Sequence, residues 1–428
     1  MKIIQTYIAI LFLAITHLAS AEETAHGVEE GKKHVHGAHK ECPLPKSRKD
    51  IIECALDFHP SIKRGALRVE STAKLEEQAS QIPNPTLSTR FVKGDNNGED
   101  ISELEANLSF TLELGGKRGS RTEYAIARKT EAVASNDAIK ADVKIATILN
   151  MHRLRQVLEE KKLLSEAVTA FSKVIGQLKK LPRLSAEQEA SLTLFEMALE
   201  ETKISESELF EEERKLEHYF HVSTGHSIQE IRSYLPKTPE NWPDVSRSQS
   251  HTTSPEVKKL KSLANLAQKE LEIQESEAWP DIKIGPSLAV EKDGAVENKM
   301  VGFNVQIPIP VFQVNGGGKA YARTELLRAK KNISLTIAEE NHERFEQLRV
   351  YESSVKILNK TMKQSLIEKK HNRIEKLYLR GVVSSSVFLD SLKQKLSYLK
   401  SRNHREFTAL KALWNIHKYD GKILEEKI

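Results

Sequence analysis

From Glu103 to Leu114 polar and apolar residues alternate one by one. Leu104, Ala106, Leu108, Phe110, Leu112 and Leu114 fall on one side of an extended chain, and Glu103, Glu105, Asn107, Ser109, Thr111 and Glu113 on the other. Just upstream, Leu87, Thr89 and Phe91 share a face, and the polar stretch KGDNNGED (93–100) reads as the turn between the two runs. The pattern returns later in the chain. Ile282, Ile284, Pro286, Leu288 and Val290 alternate with Asp281, Lys283, Gly285, Ser287 and Ala289. A turn is expected at KDGAVEN (292–298), after which Val301, Phe303, Val305, Ile307 and Ile309 alternate with Met300, Gly302, Asn304 and Gln306. Period two over these lengths predicts two hairpins, each with one apolar and one polar face.

After each hairpin the period lengthens. No Gly or Pro interrupts residues 120–175 or 319–380, and a helix of about 60 residues reaches roughly 90 Å. Leu164, Val168, Phe171, Ile175 and Leu178 form one seam with steps of three and four; Phe345, Leu348, Tyr351, Val355, Leu358 and Met362 form another. Each rod ends at a break, KKLPRLS (179–185) or LRGVVSSS (379–386), and a second helix returns, its seam marked by Leu389, Leu392, Leu396 and Leu399 in the later copy.

The two halves also align without gaps ahead of the hairpins. HPSIKRGALRVESTAKLEEQASQIPNPTL (59–87) lies over SPEVKKLKSLANLAQKELEIQESEAWPDI (254–282), matching Pro60 with Pro255, Lys63 with Lys258, Lys74 with Lys269 and Pro85 with Pro280. Internal duplication follows: a repeat over 49–235, a Pro-rich linker over 236–254, and a second repeat over 255–428. The expected fold is mainly α with β-hairpins, built from duplicated long-helix hairpins.

Composition agrees with long, partly solvated helices. Only 39% of the 428 residues are hydrophobic and 6% aromatic, while 29% are charged. The net charge of +5 is small beside 65 basic and 60 acidic side chains, and no dense Lys/Arg block speaks for nucleic acid. Residues 1–21 read as an export signal: Lys2, an apolar run from Ile3 to Leu18, then Ala19-Ser20-Ala21. A membrane anchor is the alternative. Past residue 21 no apolar stretch nears the ~18–20 residues of a spanning helix. Residues 22–48 read as a His-rich flexible leader. Cys42 and Cys54, close together in an exported chain, are either bridged or two unpaired thiols.

Four amphipathic strands form a sheet with two open edges. If the apolar face meets lipid, open edges are forbidden, because unpaired backbone groups find no water there. The smallest membrane barrels need about eight strands, so several copies of the chain must share one barrel, with polar faces inward and the helices extending the lumen. A soluble β-sandwich on a coiled-coil stalk explains the alternation equally well. A secreted coiled-coil scaffold or periplasmic adaptor is the competing class, though an adaptor has one helical hairpin and this chain has two.

Several segments resemble the outer-membrane efflux proteins of TolC type. NPTLS (84–88), LSFTLELGGKRGSR (108–121) and IPIPVFQVNGGGKA (307–320) look like that family's strand-to-helix junctions, and LELGGKR is similar to its heavy-metal (CzcC-like) branch. LPRLS (181–185) and YLRGVVSSSVFLDS (378–391) look like its two tips. The resemblance covers roughly residues 47–425. It implies a homotrimer with a twelve-stranded β-barrel in the outer membrane, four strands per chain, and a periplasmic α-helical barrel. It also implies docking to a periplasmic adaptor and an inner-membrane, proton-driven pump of RND type. The chain departs from many metal-branch relatives in having no cysteine placed for lipid attachment after the signal. The implied role is a passive exit duct, with heavy-metal cations as cargo; drug efflux or type I protein secretion would use the same architecture.

No enzyme site is expected, and no cofactor. Gly115, Gly116, Gly316, Gly317 and Gly318 precede no P-loop Lys-Ser/Thr and read as strand-helix junctions that permit the turn. His26, His34, His36 and His39 form either a loose metal-capture tail or a merely polar leader. By the resemblance, Arg183, Leu184 and Ser185 in one tip, and Arg380, Gly381, Val382, Val383 and Ser384 in the other, dock the adaptor; otherwise they are simple turns. Asp390, with Glu187 as a weaker companion, is the candidate tunnel gate, the alternative being an ordinary solvated carboxylate.

Overall fold

The computed structural model describes residues 42–96, 99–247 and 254–425, within one unit spanning Cys42–Ile428; Met1–Glu41, on which the expected signal segment and most of the leader fall, lie outside the described residues. The order of elements repeats as the duplication requires. Helix α1 (Arg48–Phe58) and α2 (Pro60–Ala79) lead to strands β1 (Thr86–Asn96) and β2 (Glu99–Leu112). Then come α3 (Lys117–Leu178), α4 (Ala186–Thr224) and the short α5 (Ile228–Ile231). The second copy runs α6 (Pro255–Ser276), β3 (Ile282–Asp293), β4 (Val296–Gln306), α7 (Gly316–Lys360), α8 (Gln364–Leu379) and α9 (Ser385–Tyr419). No described helix is long and apolar enough to cross a membrane.

Both copies of the leading helix start alike. Pro60 and Pro255 open α2 and α6, where a missing N–H costs nothing, and the preceding side chain caps: His59 Nδ1 accepts from Ser61 N at 3.2 Å, and Ser254 Oγ from Val257 N at 3.1 Å. The strands run further toward their turns than the sequence pattern indicates. Asn96 pairs with Glu99 and Asp293 with Val296, so both expected turns shrink to two residues. Ile307 and Ile309, assigned to the fourth strand by alternation, lie beyond its end, as does Leu114 beyond β2.

The first long rod is as uninterrupted as its sequence, 62 residues, or about 93 Å at 1.5 Å per residue. The second is not. It breaks at Thr361–Lys363, although neither Gly nor Pro is present. Tertiary contacts hold the break: Tyr398 on α9 hydrogen-bonds the Met362 carbonyl, and Arg402 Nη1 donates to Thr361 Oγ1 at 3.2 Å. The predicted seam therefore fails at its end, Met362 being exposed, and at Phe345, while Leu348, Tyr351 and Leu358 are buried against Ala409, Leu413 and Ile416 of α9.

The main core lies where α1, α3, α4, α5 and α9 meet. Ile51, Ile148, Leu154, Val157, Phe220, Ile231 and Trp414 are buried together there. The described part of the linker after α5, up to Arg247, is packed against the helices. Trp242 meets Tyr351 edge to face, with ring centroids 6.1 Å apart, and Tyr351 donates to the Pro243 carbonyl at 2.6 Å. Burial first, then the Asp244 charge, pushes the Tyr351 phenol up to about 12, which keeps it a donor. Arg344 ties the strap down further, giving Ser246 O a bond of 3.1 Å and Asp420 a pair at 2.6 and 3.2 Å.

A polar network crosses this core, and the apolar pattern gave no hint of it. Buried Arg155 of α3 bonds Glu406 of α9, Glu159 at 3.1 Å and Thr238 at 2.6 Å. Asn403 Nδ2 donates to Glu160 at 2.7 Å, and Gln156 Nε2 to the Asn403 carbonyl at 3.1 Å. Arg153 grips Glu212 of α4 through two bonds of 2.6 Å. Such groups hold long helices in one register, since a slip leaves charges buried and unpaired. Glu406→Gln removes Arg155's buried counter-charge; a loss of about 3 kcal/mol or more is expected, read as a lower denaturation midpoint of the detergent-purified protein.

His152, beside Glu406, is held below the usual histidine range, chiefly by burial. The unfolded imidazole gains a proton near 6.5 and the folded one resists it. Stability is therefore complete above that pH and falls as the pH drops below it. His152→Gln should flatten this decline, measured as midpoints between about pH 7.5 and 5.5.

Candidate functional site

The four strands form one antiparallel sheet in the order β1-β2-β3-β4. Its register puts Leu87 opposite Leu108, Phe91 opposite Leu104, Ala106 opposite Leu288, and Phe110 opposite Ile284. Ile284 then faces Val305, Pro286 faces Phe303, and Leu288 faces Val301. Residues directly opposite share a face, so the four apolar sets merge into one. That face is bare: Phe91 is 67% exposed, Val301 84% and Phe303 66%. The other face is polar. Arg90 stands opposite Glu105, Glu103 opposite Glu291, and Asn107 opposite Ser287. Beside Pro286, which has no N–H to give, the β2–β3 ladder lapses, and a Cβ on Gly285 would collide with the Leu108 carbonyl oxygen. Among the described residues β1 and β4 each have a single neighbour, so two rows of backbone N–H and C=O groups are open there.

At the first junction Gly115 and Gly116 both take positive φ, 70° and 74°, immediately before α3. A Cβ on Gly115 would sit 2.5 Å from the Trp279 ring, whereas one on Gly116 would meet nothing. Lys117, buried at the helix start, reaches Asp281 at 2.8 Å and so ties α3 to β3's leading segment. The second junction differs from the sequence reading. Gly316, Gly317 and Gly318 are already helical, and the left-handed residue is Asn315, at φ 52° and ψ 37°. Its side-chain amide donates to the Gln274 carbonyl at 2.8 Å, and a Cβ on Gly318 would collide with both side chains. Asn is the non-glycine residue that enters this region most readily, and the VNGGG string carried that signal.

The two helix breaks meet at one end of the helical bundle. Phe171 and Val174 of α3, Phe195 and Ala198 of α4, and Phe388, Leu389 and Leu392 of α9 share one buried cluster beneath them. Tyr378 of α8 stacks on Phe388 at 4.7 Å. In the first tip Ser185 makes a reciprocal cap with Gln188, at 3.2 and 2.9 Å, leaving Arg183 exposed and Leu184 partly so. In the second, Gly381 at φ 71° closes α8: its N–H bonds the Tyr378 carbonyl at 2.8 Å, and Val382 N that of Leu377 at 3.0 Å. Arg380 and Val382 are exposed, Val383 is partly exposed, and Ser384, at the N-cap position of α9, pairs its hydroxyl with that of Ser386 at 2.8 Å instead of capping the helix. Asp390 is exposed just past this tip with no ion pair among the described residues, and Glu187 is exposed on the other.

Solved structures share this arrangement. The chain superposes on the CmeC outer-membrane channel of Campylobacter jejuni with a TM-score of 0.66, covering 87% of this chain and 85% of that one at 13% identity. Against CusC, a protein that forms a transmembrane channel, the score is 0.64, with coverage of 89% and 93% at 13% identity. This is the TolC-type channel fold. In sequence the chain is similar to the cobalt-zinc-cadmium resistance protein CzcC of Cupriavidus metallidurans, 22% identical over 284 residues. That alignment takes in 65% of this chain and 66% of CzcC, just under two thirds of its length. No family model matches the chain.

Within the TolC-type fold the sequence-read residues fall into separate places. The junction residues sit between sheet and helices, and the tip residues gather at one end of the bundle. His26, His34, His36 and His39 lie outside the described residues. Cys42 and Cys54 are joined, with Cα atoms 5.9 Å apart; residues 42–48, read from sequence as leader, are thereby fixed to α1, where Ser47 accepts from Asp50 N. Sequence reading missed Asn315, Trp279 and Lys117. Gly116→Ala should cost about 1–2 kcal/mol for its left-handed backbone, and Gly115→Ala more. Adding Trp279→Ala to Gly115→Ala should recover the excess, as a double-mutant cycle of denaturation midpoints would register.

Proposed function

We propose that the chain is one subunit of a trimeric outer-membrane channel, the passive exit duct of a tripartite efflux system. The observation that carries this reading is the four-stranded sheet with a bare apolar face and two open edges. In lipid those edges need partners, and three chains in a ring supply them through β1 of one and β4 of the next. The closed barrel turns Glu103, Glu105, Arg90 and Asn107 toward a wet lumen and Phe91, Val301 and Phe303 toward hydrocarbon. The helices continue the lumen into the periplasm, where the paired tips, rich in small and exposed residues, dock a periplasmic adaptor joined to an inner-membrane pump of RND type.

The resemblance to a cobalt-zinc-cadmium resistance protein supports heavy-metal cations as cargo. Asp390, exposed near the tip, recurs three times around a ring in a trimer. Three carboxylates there hold cations and repel anions, which suits the same cargo.

Bifunctional thiol cross-linking of Ser88→Cys with Gly302→Cys should give a ladder that ends at three chains in outer-membrane fractions. Recovery of the chain from the periplasm without detergent would remove the channel. Asp390→Asn should lower cation-over-anion selectivity in planar bilayers with conductance retained. Deleting the gene should lower tolerance to cobalt, zinc or cadmium; unchanged tolerance to all metals, beside new sensitivity to dyes or antibiotics, would overturn the cargo.

A further inference from the structure

Away from sheet and tips, three soft or borderline donors meet under the start of the chain's described part. Cys42 precedes α1, Cys54 lies on it, and His226 follows the left-handed Gly225 that ends α4. The two sulfurs and one ring nitrogen of His226 all lie within 4.8 Å of one another. The imidazole is only 7% exposed, and its Nε2 has no hydrogen-bond partner among the described residues. Its Nδ1 lies 3.9 Å from Glu230, whose carboxylate is itself fixed by the Ser227 N–H at 2.7 Å and hydroxyl at 2.9 Å. Cys54 Sγ sits 3.5 Å from the Thr224 carbonyl, a contact that only a thiol can use as donor.

A buried ring nitrogen without a partner is costly and unusual. Here one nitrogen of a buried imidazole lies within 4.8 Å of two sulfurs, and Nδ1 lies 3.9 Å from a carboxylate, the kind of group that orients metal-binding imidazoles. With the disulfide closed, the sulfurs are poor ligands. We propose that reduction of the Cys42–Cys54 bond opens a site for a thiophilic monovalent d10 cation, Cu(I) or Ag(I), held by Cys42, Cys54 and His226. A dithiol reductant delivers two electrons and two protons, leaving two thiols here and its own sulfurs bridged. The cation then displaces both thiol protons and takes the imidazole lone pair, the ring proton staying on the nitrogen that faces Glu230. Two thiolates and an imidazole suit soft d10 ions. Zinc asks for a fourth protein ligand in a closed site, and no fourth donor joins this group among the described residues. The site lies where α1 meets the end of α4, and makes the protein a redox-gated metal binder.

The test uses the whole detergent-purified protein with His26, His34, His36 and His39 replaced by Ala to remove their background. It is reduced by a water-soluble phosphine, which ends as the phosphine oxide, then desalted and titrated with Cu(I) against a chromophoric chelator. One Cu(I) per reduced chain is expected, and none per oxidised chain. His226→Gln, which leaves the disulfide and the oxidised fold in place, should weaken binding about tenfold or more after reduction; Cys54→Ser should abolish it. Equal binding by oxidised and reduced protein, tight binding by reduced His226→Gln, preference for Zn(II), or loss of helical signal on reduction without metal retention would each overturn the proposal. The titration needs neither membrane nor pump, so its failure leaves the channel reading standing.

Discussion

Unpaired backbone at the two margins of one small sheet governs the rest of this molecule. Each edge strand offers N–H and C=O groups that water satisfies cheaply and hydrocarbon does not satisfy at all. The same sheet turns Phe91, Val301 and Phe303 outward with nothing among the described residues to cover them. An apolar face that seeks lipid and margins that cannot tolerate it are compatible only when other copies complete the ring. In the proposed channel oligomerisation is thus a condition of the strand pattern, and the number of chains is set by how many strands a barrel needs.

The helical part answers a different demand. Rods of this length carry too little apolar surface to pack as a solid core, and the chain's 39% hydrophobic content reflects that. Their alignment rests instead on discrete anchors: the Arg155–Glu406 pair, the Arg344–Asp420 pair with its hold on the strap, and Trp242 against Tyr351. Each is sequestered from water, so each penalises a shift of one helix past another by the cost of a stranded charge or an emptied ring contact. The bundle end with both tips is fixed by paired aromatics, Phe171 tilted against Phe195 and Tyr378 stacked on Phe388. Tips so mounted present loops on a rigid base, the form in which proteins usually offer contact surfaces.

The disulfide and its neighbouring histidine sit at the start of this wall. Closed, the Cys42–Cys54 link fastens the segment before α1 and restricts the unfolded chain by about 3 kcal/mol for a loop of this size. The same two sulfurs lie within 4.8 Å of a buried imidazole whose Nε2 has no hydrogen-bond partner among the described residues. A fastening and a latent ligand set therefore occupy one place.

Amino-acid order alone determined the strands, the rods, the duplication and the two tips, because each rests on a local rule: period two, period 3.6, and the chemistry of Pro and Gly. It failed where a distant residue decides. Thr361–Lys363 read as helix, and side chains of α9 hold it open. Gly316–Gly318 read as the hinge, and Asn315 takes that role because Gln274 on α6 receives its amide. Strand ends crept past the polar residues read as turns, since pairing across the sheet extends a strand whatever its composition. The buried Arg155 network looked like solvated helix surface, for charge spacing along one helix does not say what the facing helix brings. Local rules fix the elements; contacts between residues far apart in the chain fix where those elements stop, bend and lock.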